Sequence, residues 1–177
     1  MMIRYRSLAV SLAGILMVTP AHSQGVSVHA DILGEGGKGL GTVSLNQAPR
    51  GVLLRVQVSG LAPGWHGMHI HSVATCADQG FKASGGHVHA VSAATSVHGL
   101  LNANETDLGD LPNIYAGADG NAAAEVFDPN VSLGEAPGRT NLLDADGSAL
   151  IIHASPDDHV SQPIGGAGAR IACAAIK

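Results

Sequence analysis

The stretch Val52-Leu53-Leu54-Arg55-Val56-Gln57-Val58 decides the fold class. Leu54, Val56 and Val58 alternate with Arg55 and Gln57, the period of two that a strand with one buried face requires. Outward from it, short alternating or β-branched runs recur at residues 26–32, 41–45, 67–71, 122–127, 149–153 and 169–176. Turn signals separate them: Gly34-Glu35-Gly36-Gly37, Ala62-Pro63-Gly64, Ala118-Asp119-Gly120 and Asp144-Ala145-Asp146-Gly147. No amphipathic helical stretch follows the first two dozen residues. Many short strands with glycine-rich turns predict an all-β, antiparallel sandwich or flattened barrel. Residues 72–112 and 154–168 refuse the strand pattern. Each segment begins directly after a histidine, and loops of that length in a compact domain are usually functional.

The first residues form a separate element. Arg4 and Arg6 precede an apolar run at residues 8–18, followed by Pro20 and Ala21-His22-Ser23. A charged start, an apolar run of about a dozen residues and a small-x-small site predict a secretory signal peptide, residues 1–23, cleaved after Ser23. The run is short for a bilayer span, and no later segment approaches that length, so no membrane association is expected after cleavage. Residues 24–177 are expected to form a single domain. An exported chain of this kind is periplasmic or secreted. In those oxidising compartments its only two cysteines, Cys76 and Cys173, are expected to pair. The bond would close a loop of about 100 residues, worth roughly 4–5 kcal/mol by loop-entropy estimates.

Loss of the signal peptide lowers the basic residues from 9 to 7 against 14 acidic ones. A mildly acidic chain with 3% aromatics has neither the basic patch nor the stacking platforms of a nucleic-acid binder.

Histidine usage points to a metal. Of the 10 histidines, most of the nine outside the signal sit in or beside the two long loops. His69 and His71 are two apart on a strand and share a face, with Met68 and Ile70 on the other. His87 and His89 form a second such pair in a loop. His98, Asp107 and Asp110 follow, and His153 ends a late strand. Imidazoles with a few carboxylates suit copper(II) or zinc rather than calcium or magnesium.

Trp65-His66-Gly67-Met68-His69-Ile70-His71, Gly85-Gly86-His87, Leu108-Gly109-Asp110-Leu111-Pro112, Ile151-Ile152-His153 and Gly165-Gly166-Ala167-Gly168-Ala169-Arg170-Ile171-Ala172-Cys173 resemble, in that order, the bacterial copper/zinc superoxide dismutases. The likeness spans essentially the whole chain after residue 23, with both cysteines in the family's positions. It implies a Greek-key arrangement of the strands and superoxide as the substrate, taken to dioxygen and hydrogen peroxide. It also implies copper at His69, His71, His87 and His153, with His87 bridging to zinc. His98 and Asp110 match two further zinc ligands. Arg170 matches the arginine that guides the anion, and His87 is expected to carry a proton as well. Asp157 matches a carboxylate that joins copper and zinc ligands through hydrogen bonds, and His66 matches a structural position. Relatives pair through different surfaces or stay monomeric, so a homodimer is one expected state.

One position departs from the pattern. The third zinc histidine, expected just before Leu108, is Asp107, and the segment from His87 to His98 is long and carries His89. Asp107 could ligate zinc through oxygen, His89 could substitute, or zinc could be dispensed with. The favoured expectation is an altered but used site of His87, His98, Asp107 and Asp110. A copper-binding or copper-buffering protein on the same fold is the alternative function. Arg170 favours the enzyme, because a buffer has no need of an anion guide.

Overall fold

A computed structural model of the chain describes residues 25–90, 92–93 and 95–177. The expected signal peptide lies outside the described residues. Ten strands run in chain order: β1 (Ser27–Gly34), β2 (Gly39–Ala48), β3 (Gly51–Val58), β4 (Gly64–His71), β5 (Asp110–Ala116), β6 (Ala122–Asp128), β7 (Val131–Ser132), β8 (Thr140–Asn141), β9 (Ser148–His153) and β10 (Arg170–Ile176). Among the described residues two short 3-10 turns interrupt them, Glu35–Gly37 and Gln79–Ser84. Among the described residues no helix is long and apolar enough to cross a membrane.

Eight strands make one antiparallel sheet in the order β5-β4-β9-β10-β1-β2-β3-β6. Its two edges, β5 and β6, come alongside one another without a hydrogen-bonded ladder between them, so the sheet curls into a flattened, nearly closed barrel. Around that ring β3 connects to β4 past β6 and β5, and β6 connects to β9 past β5 and β4. Two such crossovers are the Greek-key signature.

The opening stretch behaves as its alternation requires. On β3, Val52, Leu54, Val56 and Val58 are buried while Arg55 and Gln57 are exposed. These side chains join Val43, Leu45, Met68, Ile70, Leu150 and Ile152 inside the barrel. Burying each large aliphatic side chain contributes about 1.5–3 kcal/mol against exposure.

The predicted long loop at residues 72–112 ends earlier than expected. Asp110 already pairs with His69 across the β4–β5 ladder, and Leu111 with Met68. Pro112 hides this strand from a pattern search because it lacks an N–H. It is tolerated because β5 is an edge strand.

The expected disulfide is formed: Cys76 is bonded to Cys173, pinning the first long loop to β10. A small outer cluster of Phe81, Ala149, Ile151 and Cys173 packs between that loop and the sheet.

Candidate metal centre

The site grows out of the β4–β9 pairing. His69 lies opposite Ile151 and His71 opposite Ala149. The odd positions of both strands therefore face away from the barrel core, and Met68 and Ile70 face into it. An outward face would normally be wet, yet His69, His71 and His153 are each 1% exposed or less because the two loops fold over them. A register shift between Arg170 and Ala172 sets Arg170 beside His153 at the end of β10. Bulges of this kind commonly re-aim side chains next to functional sites.

Each imidazole has one ring nitrogen tied to an acceptor. His69 Nε2 donates to Asp157 Oδ2 at 2.7 Å, His71 Nδ1 to the Gly85 carbonyl at 2.9 Å, and His153 Nδ1 to the Gly168 carbonyl at 3.0 Å. His87 Nδ1 lies 2.8 Å from Asp110 Oδ1. In a neutral ring the opposite nitrogen then carries a lone pair. Those atoms are His69 Nδ1, His71 Nε2, His87 Nε2 and His153 Nε2. The four residues can offer one nitrogen each within 4.8 Å of one another. His69 Nδ1 and His153 Nε2 are 3.0 Å apart, and His71 Nε2 and His87 Nε2 are buried without any partner. Orphaned, converging lone pairs are costly unless something shares them. A metal ion that prefers imidazole answers the arrangement, so the donor set fits copper.

A second group shares His87. His87, His98 and Asp110 come together, and His69 completes this group of four. His69 is already held on its Nε2 by Asp157. His98 Nδ1 is 2.6 Å from Asp110 Oδ2 without hydrogen-bond geometry and is buried without a partner. Two acceptors facing each other so closely are what a shared cation would separate, and nitrogen with oxygen donors fits zinc. Asp107 belongs to neither compact group. It is 2% exposed, and its Oδ2 stands 3.4 Å from His87 Nδ1. His89 is exposed, with Nδ1 3.3 Å from the His87 carbonyl, and it belongs to neither group.

Asp157 joins the two groups. Its oxygens accept from His69 Nε2, from His98 Nε2 at 3.0 Å and from the His159 backbone N–H at 2.6 Å. Burial opposes ionisation, but these donors hold its carboxyl below the usual range. Asn113 on β5 clamps the Asp157 backbone from both sides. Gly165 makes room for this hub: its φ is +58°, and a Cβ there would overlap Asp157 Oδ1. The glycine-rich pattern carried that signal in the sequence, but its purpose needed the fold. His66, by contrast, is structural, with ring nitrogens 2.7 and 2.8 Å from the His153 and Ala62 carbonyls.

Electrostatics separates the two halves. Burial pushes His71 down to about 2 and His153 down to about 4, and it lowers His69 as well. For His87 burial acts the same way, but Asp107 and Asp110 outweigh it and raise the imidazole to about 9. Arg170 is half-buried, its guanidinium donating to the carbonyls of Phe81 and Gly85 at 2.8 Å and to Ser84 Oγ at 3.0 Å. Gly85 thereby holds both Arg170 and His71. The Gly85 carbonyl and Ser84 hydroxyl were not legible in advance, since backbone acceptors leave no residue-type signature.

Residues 40–176 match the family described as copper/zinc superoxide dismutase (SODC). The chain is 57% identical over 141 residues to a Cu-Zn superoxide dismutase of Caulobacter vibrioides, covering 80% of each protein. It is 36% identical to a Cu-Zn superoxide dismutase of Aquifex aeolicus over 94% of this chain and 96% of that one. Among solved structures, a SOD-like protein from Bacillus subtilis aligns with a TM-score of 0.77 at 33% identity, over 84% of this chain and 97% of that one. The Cu/Zn superoxide dismutase from Brucella abortus aligns with a TM-score of 0.68 at 28% identity, over 86% and 100%. The chain belongs to the copper/zinc superoxide dismutase family.

Proposed function

We propose that this chain is an exported superoxide dismutase, cleaved after Ser23 and working in the periplasm or outside the cell as a single domain of residues 24–177. One observation carries the enzymatic reading: four buried imidazoles converge their free nitrogens beside a guanidinium that is held in place by the loop carbonyls. The disulfide suits an oxidising compartment.

In this reading His69, His71, His87 and His153 would hold copper, while His87, His98, Asp107 and Asp110 would hold zinc. Bound copper would supply the one-electron couple that zinc lacks, for a reaction in which one superoxide becomes dioxygen and a second, with two protons, becomes hydrogen peroxide. The chain's own residues do the rest. Arg170 attracts the anion and offers it charge-assisted hydrogen bonds, and its positive charge reaches His71 and His153. On an acidic protein, that local cation steers superoxide to one cleft. His87 is the proton carrier at Nε2, the nitrogen it turns toward the other three imidazoles. Asp157 fixes the tautomers of His69 and His98 and so keeps the lone pairs aimed inward.

Dismutation by the copper- and zinc-loaded protein, measured against the metal-free protein, tests the reading. Rapid copper-dependent loss of superoxide is expected. A copper-loaded protein without turnover would leave the copper-buffering function.

A further inference from the structure

Asp107 is the one site residue whose type departs from the family pattern, and its surroundings explain how it serves. An aspartate Oδ and a histidine Nδ1 both lie one bond beyond Cγ, so a carboxylate has the reach of an imidazole that ligates through Nδ1. His98 presents Nδ1 to this group, since its Nε2 belongs to Asp157. The 3.4 Å between Asp107 Oδ2 and His87 Nδ1 also matches the separation of two ligands on one tetrahedral ion, about 3.3–3.4 Å for bonds of 2.0–2.1 Å.

The other oxygen of Asp107 is occupied. Ser96 Oγ donates to Asp107 Oδ1. Ser96 comes from the long segment between His87 and His98, and that segment is hydrogen-bonded to the stretch carrying Asp107. Thr106 N–H donates to the Val97 carbonyl at 2.9 Å and Asp107 N–H to the same carbonyl at 3.2 Å. In return Val97 N–H donates to Thr106 Oγ1 at 2.8 Å, and Thr106 Oγ1 donates to the Thr95 carbonyl at 3.0 Å. Burial opposes ionisation of Asp107, yet the contacts with His87 and Ser96 hold its carboxyl below the usual range.

We propose that Ser96 is a positioning residue for the second metal site: its hydroxyl fixes one Asp107 oxygen and leaves the other as a single-oxygen ligand in place of an imidazole. The proposal rests on the two-metal reading above, and it gives the extra loop segment a purpose. An unbraced carboxylate could rotate or bind through both oxygens, whereas a braced one keeps a four-donor set of two nitrogens and two oxygens.

The test is zinc affinity, measured by competition with a chromophoric chelator on protein whose copper site is already filled. Ser96→Ala is expected to weaken zinc binding by about 10–100-fold, the usual cost of losing an outer hydrogen-bond partner. Ser96→Thr keeps the hydroxyl and restores the wild-type affinity. Asp107→His supplies an Nδ1 of equal reach and retains zinc, and in that background Ser96→Ala changes nothing. Wild-type zinc affinity in Ser96→Ala would overturn the brace, and wild-type affinity in Asp107→Ala would remove Asp107 from the site. An equal loss from Ser96→Ala with and without Asp107→His would also overturn it, since the serine would then act on the fold rather than on the carboxylate. None of these readouts depends on turnover, so a protein that binds zinc as expected but fails to dismutate superoxide would overturn only the function.

Discussion

The two halves of the metal centre are made differently. The copper half stands on strands: His69 and His71 on β4 and His153 at the end of β9, locked by the barrel's own register. The second half stands on loop: His98 and Asp107 lie in the segment between β4 and β5, and Asp110 only just enters β5. The strand half is rich in imidazole and starved of countercharge, so burial strips protons from it. The loop half gathers Asp107 and Asp110 around His87 and, in the metal-free protein, favours its protonated ring. A ligand on a strand inherits its place from the ladder; a ligand on a loop must be braced one hydrogen bond at a time.

The strongest way to break this comparison is His153→Ala. Loss of a strand ligand should abolish copper-dependent dismutation, by more than about 100-fold given the cost of lost first ligands and partners. Equilibrium copper binding and turnover on the purified variant check it. Retained activity would mean that the four-imidazole group is not the reacting site.

Next in size is the pH dependence of the metal-free protein. His71 and His153 have folded pKa values depressed to about 2 and about 4. Below the unfolded value of about 6.5 the unfolded chain takes up protons there that the folded chain refuses, so stability falls from pH 6.5 toward pH 4. His87 has the opposite sign. Raised to about 9, it contributes stability that is fully present below pH 6.5 and is lost as pH rises through 9. Each limb should span a few kcal/mol. Asp128, pushed up to about 6 by burial, runs against the acid limb that His69, His71 and His153 drive. Urea midpoints from pH 4 to 10 measure the curve. His87→Gln should flatten the alkaline limb and leave the acid limb, so a variant losing both would erase the difference between the halves.

Asp157→Asn sharpens the comparison from the middle, because Asp157 is the contact both halves share. Its loss of charge should lower copper and zinc affinity together, by about 10–100-fold each. An effect on one metal alone would show that the halves are set independently. The smallest expected change is Arg170→Ala. Dismutation should slow several-fold and lose part of its dependence on ionic strength, since the guanidinium supplies local steering. Stopped-flow rates at two salt concentrations would read it, and an unchanged salt slope would remove Arg170 from the anion's path.

The strand half was legible in the sequence because strands write a period of two. His69-Ile70-His71 alternates a ligand face with a core face, and Ile151-Ile152-His153 does the same. The barrel was legible for the same reason in Val52-Leu53-Leu54-Arg55-Val56-Gln57-Val58, where the buried positions Val52, Leu54, Val56 and Val58 repeat at intervals of two. Strand β5 escaped notice because Asp110-Leu111-Pro112 reads as a loop until its position on the sheet edge is known. Asp107 stands out in the sequence as a departure, and its partner does not. Ser96 lies 11 residues earlier and carries no pattern of its own.

The sequence by itself therefore determined the strand periodicity, the paired cysteines and the set of histidines, all of them local or compositional signals. Only the tertiary structure decided which face those histidines occupy, how two loops bury it, and which carbonyls, glycines and hydroxyls aim each ligand. The physical reason is range. Alternation is set between neighbours along the chain, whereas Gly85 beside Arg170, Gly165 beside Asp157 and Ser96 beside Asp107 are brought together by closing the barrel and folding its loops.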